Sequence, residues 1–440
     1  MRSTWCAAFA AAVALAVPAV AQANSVTDWN RIASDTLVAI PPPAGGAPPA
    51  LQINMAMVQG AVYDAVNSIG KREHEPYLLK RLFWPTSSKD AAAATAAYLV
   101  LSNIVSGVPA TIPFPNRTSL QLALDASYAA SLAAIPNSVS KRLGIRAGNA
   151  AAAVMISDRR RDGRFGPSQW VPYVGPGYWQ PLLNPDGTPI LDPTPWVGGV
   201  EPFVLQRPSQ FRTAGPRSLR SRRWAEEYNE VKDIGRIDST LRTGDQTHFA
   251  LFWQSNGGPA FLWNGTARSL VNNPAYGIDD SDSARLFAML NLAGADAAIN
   301  CWNDKYYFDF WRPWNAIPHG DTDGNPATEK DGTWKPLLSA PYPEHPSGHL
   351  CLDGAELRVL QMFFGDNVHF GVTSSRFGGE TRFFDHFSDS LAEITEARIW
   401  AGLHYRTADL QGRGLGKQVA DYMAERFFQP VGGNGENQDD

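Results

Sequence analysis

Three short segments in the C-terminal half carry side chains suited to holding and transforming an oxyanion: Lys305 with Arg312-Pro313, Pro346-Ser347-Gly348-His349, and Arg398 with His404. Lysine offers a point charge and arginine a forked set of donors, a combination that matches a tetrahedral oxyanion or a five-coordinate state derived from one. If the chain between them is helical, the seven-residue spacing returns Lys305 and Arg312 to nearly one face. The proline after Arg312 disfavours helix there, so its guanidinium is expected at a helix end. Pro346 suits the first position of a helix that Ala355, Val359, Met362 and Phe363 continue at helical spacing, with Gly365 as its stop. Ser347, Gly348 and His349 then occupy a first turn, where free backbone N–H groups favour an anion, Gly348 permits close approach and Ser347 adds a hydroxyl. Phe387, Leu391, Ile394 and Arg398 form one apolar stripe ending in a guanidinium, which when buried asks for an anionic partner. His349 and His404 flank the anion: one imidazole can attach to its central atom while the other moves protons.

In this order, Lys-x6-Arg-Pro, Pro-Ser-Gly-His and Arg-x5-His, the motifs resemble the signature shared by vanadium-dependent haloperoxidases and type-2 phosphatidic acid phosphatases. Trp302-Asn303-Asp304-Lys305, continuing through Phe310-Trp311-Arg312-Pro313, is more similar to the soluble haloperoxidase branch. So are Gly324-Asn325-Pro326-Ala327-Thr328 and Tyr342-Pro343. The resemblance implies vanadate as cofactor, its oxygens held by Lys305, Arg312, Ser347, Gly348 and Arg398, with His404 as axial ligand to the metal and His349 as acid/base. Hydrogen peroxide, a halide and an organic acceptor would then be the substrates. The alternative is an acid phosphatase that uses no vanadate: His404 attacks the phosphorus of a phosphate ester to give a phosphohistidine, and His349 protonates the leaving group. Bound vanadate resembles the five-coordinate state of phosphoryl transfer, so the same residues serve either chemistry. A third reading, a non-catalytic oxyanion-binding protein, leaves both histidines without a task. Two positions depart from the family pattern, Ala397 where serine usually precedes the arginine, and Tyr342 where Phe or His is common; the second bears on halide preference.

The elements that must position these groups read as helices. Segments near Gln52 to Ile69, Lys89 to Ser106, Ser119 to Ala134 and Ser138 to Arg161 are rich in Ala, Leu, Met and Val at helical spacing, and suggest an N-terminal bundle over 24–162. The chain over 163–216 is dense in Pro, Gly and aromatics, and reads either as a wall of the substrate channel or as packing over the helical halves. Helical pattern returns at Leu219 to Asp233, Ser239 to Phe252, Ala260 to Asn272 and Ser281 to Trp302, which opens a C-terminal catalytic bundle over 217–430. Strand alternation is scarce. The expected fold is therefore all-α, two packed helical bundles with long Pro/Gly-rich loops. Residues 431–440 read as a disordered tail.

Composition narrows the function classes. A chain of 440 residues with 44% hydrophobic content supports a large core. A formal charge of -5 without a long basic run leaves no footprint for nucleic acid. Arg2, an apolar run from Trp5 to Val20 and Ala21-Gln22-Ala23 read as a signal peptide over 1–23, which implies a periplasmic or secreted protein. No later segment is apolar enough to span a bilayer, and a homo-oligomer is compatible with this reading. Cys301 and Cys351, both beside motifs, fit either a disulfide or a pair of buried thiols. His345 and His349 have the i, i+4 spacing of zinc ligands, but Pro346 starts the helix between them and turns His345 elsewhere. The Asp321 to Asn325 segment lacks a full calcium-ligand series and reads as a turn-rich connection. Trp302, one turn before Lys305, either walls the oxyanion pocket or is a plain core aromatic.

Overall fold

The computed structural model describes residues 24–167, 170, 171 and 173–432. The expected signal peptide, 1–23, and residues 433–440 of the expected tail lie outside the described residues. Helix α1 (Ser25–Val38) was not expected from the sequence; Asn24 starts it by accepting the N–H groups of Val26 and Thr27. Trp29, Ala33 and Leu37, one turn apart, bury its inner face. Helix α2 (Pro48–Asn67) is buried along almost its whole length, as a helix apolar all round must be. Ser88 and Ser138 cap α3 (Lys89–Gly107) and α5 (Val139–Asp158), with α4 (Arg117–Ala134) on the outside. The backbones of α3 and α5 approach so closely that a Cβ at Gly148 would stand 2.5 Å from the carbonyl of Ala92.

Helices α6 (Arg222–Ile234), α7 (Gly244–Phe252) and α8 (Gly258–Val271) lead to α9 (Asp280–Phe308), the 29-residue axis of the molecule. One polar stripe of α9 fastens the irregular 163–216 connection. Asp296 accepts the N–H groups of Phe203, Val204 and Leu205 at 2.6, 2.8 and 2.8 Å, Asn300 that of Phe211 at 2.9 Å, and Asp304 that of Thr213 at 2.8 Å. These acceptors recur every fourth residue, so they line one face. The connection is thus a wall bound to α9 by buried hydrogen bonds.

The expectation that Lys305 and Arg312 share one helical face is not met. α9 stops where Asp309 adopts φ 46°, and Arg312, in extended backbone, precedes the short α10 (Pro313–Ala316). Helix α11 (Gly348–Phe364) begins after Ser347 and ends at Gly365, whose φ of 77° a side chain would resist. An antiparallel hairpin follows, β1 (Asn367–Thr373) against β2 (Thr381–His386), with Phe370 opposite Phe384. α12 (Phe387–Trp400) and α13 (Arg406–Arg426) complete a fold that is all-α apart from this hairpin among the described residues. One hydrophobic core runs from Val26 to Phe428 through both halves, and a smaller one gathers Trp224, Trp311, Trp334 and Tyr405 beside the motifs. Gly412 lets α13 lie on the start of α11, since a Cβ there would stand 2.8 Å from the carbonyl of Ser347. No helix of the described residues is long and apolar enough to cross a membrane.

Candidate active site

The ends of α9, α11 and α12 and the two turns beside them bring the motif residues together. Lys305, in the last turn of α9, is fully buried, and its ammonium donates to the carbonyls of Pro343, Glu344 and Pro346 at 3.1, 3.1 and 2.5 Å. Arg312 reaches the same strip of backbone: its Nε donates to Tyr342 O at 3.0 Å and one Nη to Pro343 O at 3.3 Å, while the other Nη donates to Leu403 O at 2.7 Å. The 342–346 segment therefore positions both cations, replacing the helical face that the spacing suggested. Arg398 closes the apolar stripe of α12 as expected, buried beside Phe387, Leu391 and Ile394, and donates to Gln254 Oε1 at 3.2 Å. Gly348 faces Trp302, whose ring a Cβ would approach to 3.2 Å, and Lys305.

Among the described residues, none of these three buried cations forms an ion pair. Arg398 Nε is also a buried donor without a hydrogen-bond partner, and the His349 Nε2 nitrogen is buried without one. Unsatisfied buried donors and unpaired charge are costly, and an oxyanion would satisfy both. Burial holds the Lys305 ammonium down at about 8 and the Arg312 guanidinium at about 10. Burial keeps both imidazoles neutral, well below the usual histidine range, with Arg398 adding to the effect at His349 and Arg312 at His404.

His404 has a defined tautomer. Arg312 can only donate, so His404 Nε2, 3.1 Å from its Nη1, must be the acceptor, and Nδ1–H donates to Glu344 Oε1 at 2.9 Å. Nε2 is thus unprotonated beside the cations, and it would act as a metal ligand or a nucleophile by exchanging its contact with Arg312. Glu344 is a partner of His404 that the sequence alone did not point to. Fully buried, it also accepts the Tyr405 N–H at 3.0 Å, and burial raises it to about 8 against the pull of Arg312. A carboxylate two residues before Pro346, in the run Tyr342-Pro343-Glu344-His345, was the available signal. Asp409 was also missed; it is buried beside the Ser347 hydroxyl, and burial pushes its carboxyl well up, which favours the neutral acid.

The remaining candidates fall outside the cradle. His345 turns away: Thr213 gives its hydroxyl proton to Asp304, so His345 Nε2–H donates to Thr213 at 3.1 Å. Among the described residues no group of three His, Cys, Asp or Glu side chains could hold a metal ion by itself. Asp323 is occupied by Trp224, Asn325 and Thr328 in a turn-rich connection. Trp302 donates to Asp192 at 2.9 Å, and its ring and that of Tyr342 lie 5.7 and 5.1 Å from the Lys305 ammonium. Cys301 and Cys351 are buried thiols with sulfurs 2.7 Å apart, behind Pro346.

Residues 285–433, which contain every motif residue, match the family model of the vanadium chloroperoxidase (VCPO) second helical-bundle domain. Vanadium chloroperoxidase from Curvularia inaequalis is 31% identical over 209 residues, 38% of this chain and 33% of that relative. The match thus spans about a third of the curated relative's length. A bacterial vanadium-dependent iodoperoxidase superposes with a TM-score of 0.72 at 23% identity, over 92% of this chain and 97% of that one. A bacterial vanadium-dependent chloroperoxidase does so at 0.67 and 17% identity, over 88% and 93%. Residues 285–433 thus match the second helical-bundle domain of that family, and the chain as a whole shares the fold of these bacterial vanadium-dependent haloperoxidases.

Proposed function

We propose that the protein is an exported vanadate-dependent haloperoxidase, which oxidises a halide with hydrogen peroxide. The observation that carries this reading is the cradle: Lys305, Arg312 and Arg398 are buried without a carboxylate partner, around a neutral His404 whose unprotonated Nε2 meets Arg312. The Ser347 hydroxyl and the first-turn N–H groups of α11 would supply the neutral donors for an oxyanion of this shape. Vanadate, bound there, supplies the centre at which peroxide becomes an oxygen donor to halide. Lys305, Arg312 and Arg398 would hold the oxyanion and stabilise negative charge on its oxygens. Glu344 fixes the His404 tautomer in which Nε2 carries no proton, and neutral His349 would serve as the base that takes a proton from peroxide. The haloperoxidase names of the similar proteins favour this chemistry over phosphate ester hydrolysis.

The test compares two reactions of the purified chain. With vanadate, peroxide and bromide or iodide, halogenation of a phenolic dye should depend on vanadate and disappear in His404→Ala. Turnover of a phosphate monoester without vanadate, and no halide oxidation with it, would instead establish the phosphatase alternative. Full turnover by His404→Ala would overturn both.

A further inference from the structure

We infer that the aromatic cavity on the outer face of α9, behind Trp302, binds the organic acceptor, a neutral electron-rich arene such as a phenol or naphthol. This rests on the haloperoxidase reading and gives its substrate class. The cavity encloses about 460 Å³ and lies between α9 and the 163–216 wall, with Trp170, Trp196, Trp302, Tyr306, Tyr307 and Arg212 around it. Pockets of a few hundred Å³ lined by rings and a few fixed polar groups suit small-molecule ligands.

Two features connect the cavity to the chemistry. The first is position. Trp302 is shared, since one part of its ring lies against Gly348 in the oxyanion turn while the residue also lines the cavity. Lys305 points into the cradle, whereas Asn303, Tyr306 and Tyr307 of the same helix line the cavity, so α9 is the partition between the two. The second is the state of the polar groups. Trp302 Nε1 and the Tyr306 hydroxyl both donate to Asp192 Oδ2, at 2.9 and 2.7 Å, and Trp170 Nε1 donates to Asp309 at 2.9 Å. Asn303 donates to the Gly198 carbonyl and accepts from Arg212. The Arg212 guanidinium lies 3.9 Å from the centre of the Tyr307 ring, with its charge balanced by Asp304 at 3.0 Å. With rings fixed and charge balanced, the walls offer π faces rather than an ionic anchor, which selects a flat neutral ring.

The chemistry balances with the proposed activity. Hypohalous acid leaving the cradle transfers its halogen to a ring carbon: the carbon–halogen bond forms, the halogen–oxygen bond breaks, and the displaced ring proton joins the hydroxide as water. No further oxidant is required.

Calorimetric titration of the full chain with 2-naphthol, without vanadate or peroxide, should give saturable 1:1 binding. Gly199→Trp fills the cavity from a position where an added Cβ meets nothing within 4 Å, and Tyr307→Ala removes an exposed wall. Each should weaken binding at least tenfold and raise KM for naphthol halogenation, while acceptor-free oxidation of iodide to triiodide is unchanged. Absence of saturable binding to the wild type, or wild-type affinity in Gly199→Trp, would overturn the proposal. Failure of the haloperoxidase reading would be seen separately, as no iodide oxidation after vanadate loading while naphthol binding persists.

Discussion

If the cradle binds an oxyanion as proposed, Lys305 should make its affinity depend on pH in a way Arg312 does not. Burial brings its ammonium from 10.5 to about 8, while the Arg312 guanidinium is held only down to about 10. From neutral pH to about pH 9, the free protein loses the lysine charge while Arg312 stays largely protonated. A bound anion restores the proton, so above the lysine's own value each pH unit should weaken binding about tenfold, about 1.4 kcal/mol. Tungstate is a suitable probe because it is tetrahedral and stays a dianion over this range. Calorimetry should give a dissociation constant about tenfold larger near pH 9 than near pH 7. Both histidines are already neutral and contribute no slope. Glu344, also raised to about 8, gains negative charge over the same range and steepens the loss, so Lys305→Met is the control that isolates the lysine. This variant should bind tungstate about tenfold to a hundredfold more weakly near pH 7, as loss of a charged hydrogen bond implies. Its pH dependence should be shallower by one proton. Parallel profiles for wild type and Lys305→Met would refute the reasoning. The same displacement has a stability consequence of fixed sign. Between about 8 and 10.5 the unfolded chain holds a proton that the folded chain has lost, so this group makes the anion-free protein more stable as pH rises, by about 3 kcal/mol across the window.

Three further outcomes follow from named contacts. Glu344→Ala removes the acceptor of His404 Nδ1–H and of the Tyr405 N–H; vanadate affinity should fall about 10- to 100-fold, read by equilibrium dialysis, as it does when the group orienting a ligand histidine is lost. Asp296→Ala frees three backbone N–H groups at 203–205; urea unfolding should record a loss of about 2–4 kcal/mol, because buried donors are left unpaired. Gly412→Ala sets a Cβ against the Ser347 carbonyl where α13 crosses α11; thermal unfolding should record a loss of about 1–3 kcal/mol from overpacking.

Much of the fold class was legible because helical periodicity is local: Ala-rich, Leu-rich runs with polar residues at regular spacing form helices wherever they can bury a face. Helix α1 escaped because its apolar side is only Trp29, Ala33 and Leu37, followed at once by the Pro41 to Pro49 loop. The candidates for the cradle were also written in one dimension. Fixed cations beside a Pro-Ser-Gly-His turn have few uses apart from an oxyanion, and Arg398 at the end of an apolar stripe declared its burial in advance. How the cations meet was a matter for the tertiary structure. Lys305 and Arg312 are on different elements, and carbonyls of the 342–346 backbone hold them together. The roles of Glu344 and Asp409 likewise depend on which chain segments lie opposite them, as does the fastening of the 163–216 wall to Asp296, Asn300 and Asp304. Sequence determines which charges the chain must bury, because side-chain chemistry and helical spacing are local properties. Only the packed structure decides what each charge faces, because that depends on contacts between residues far apart in the chain.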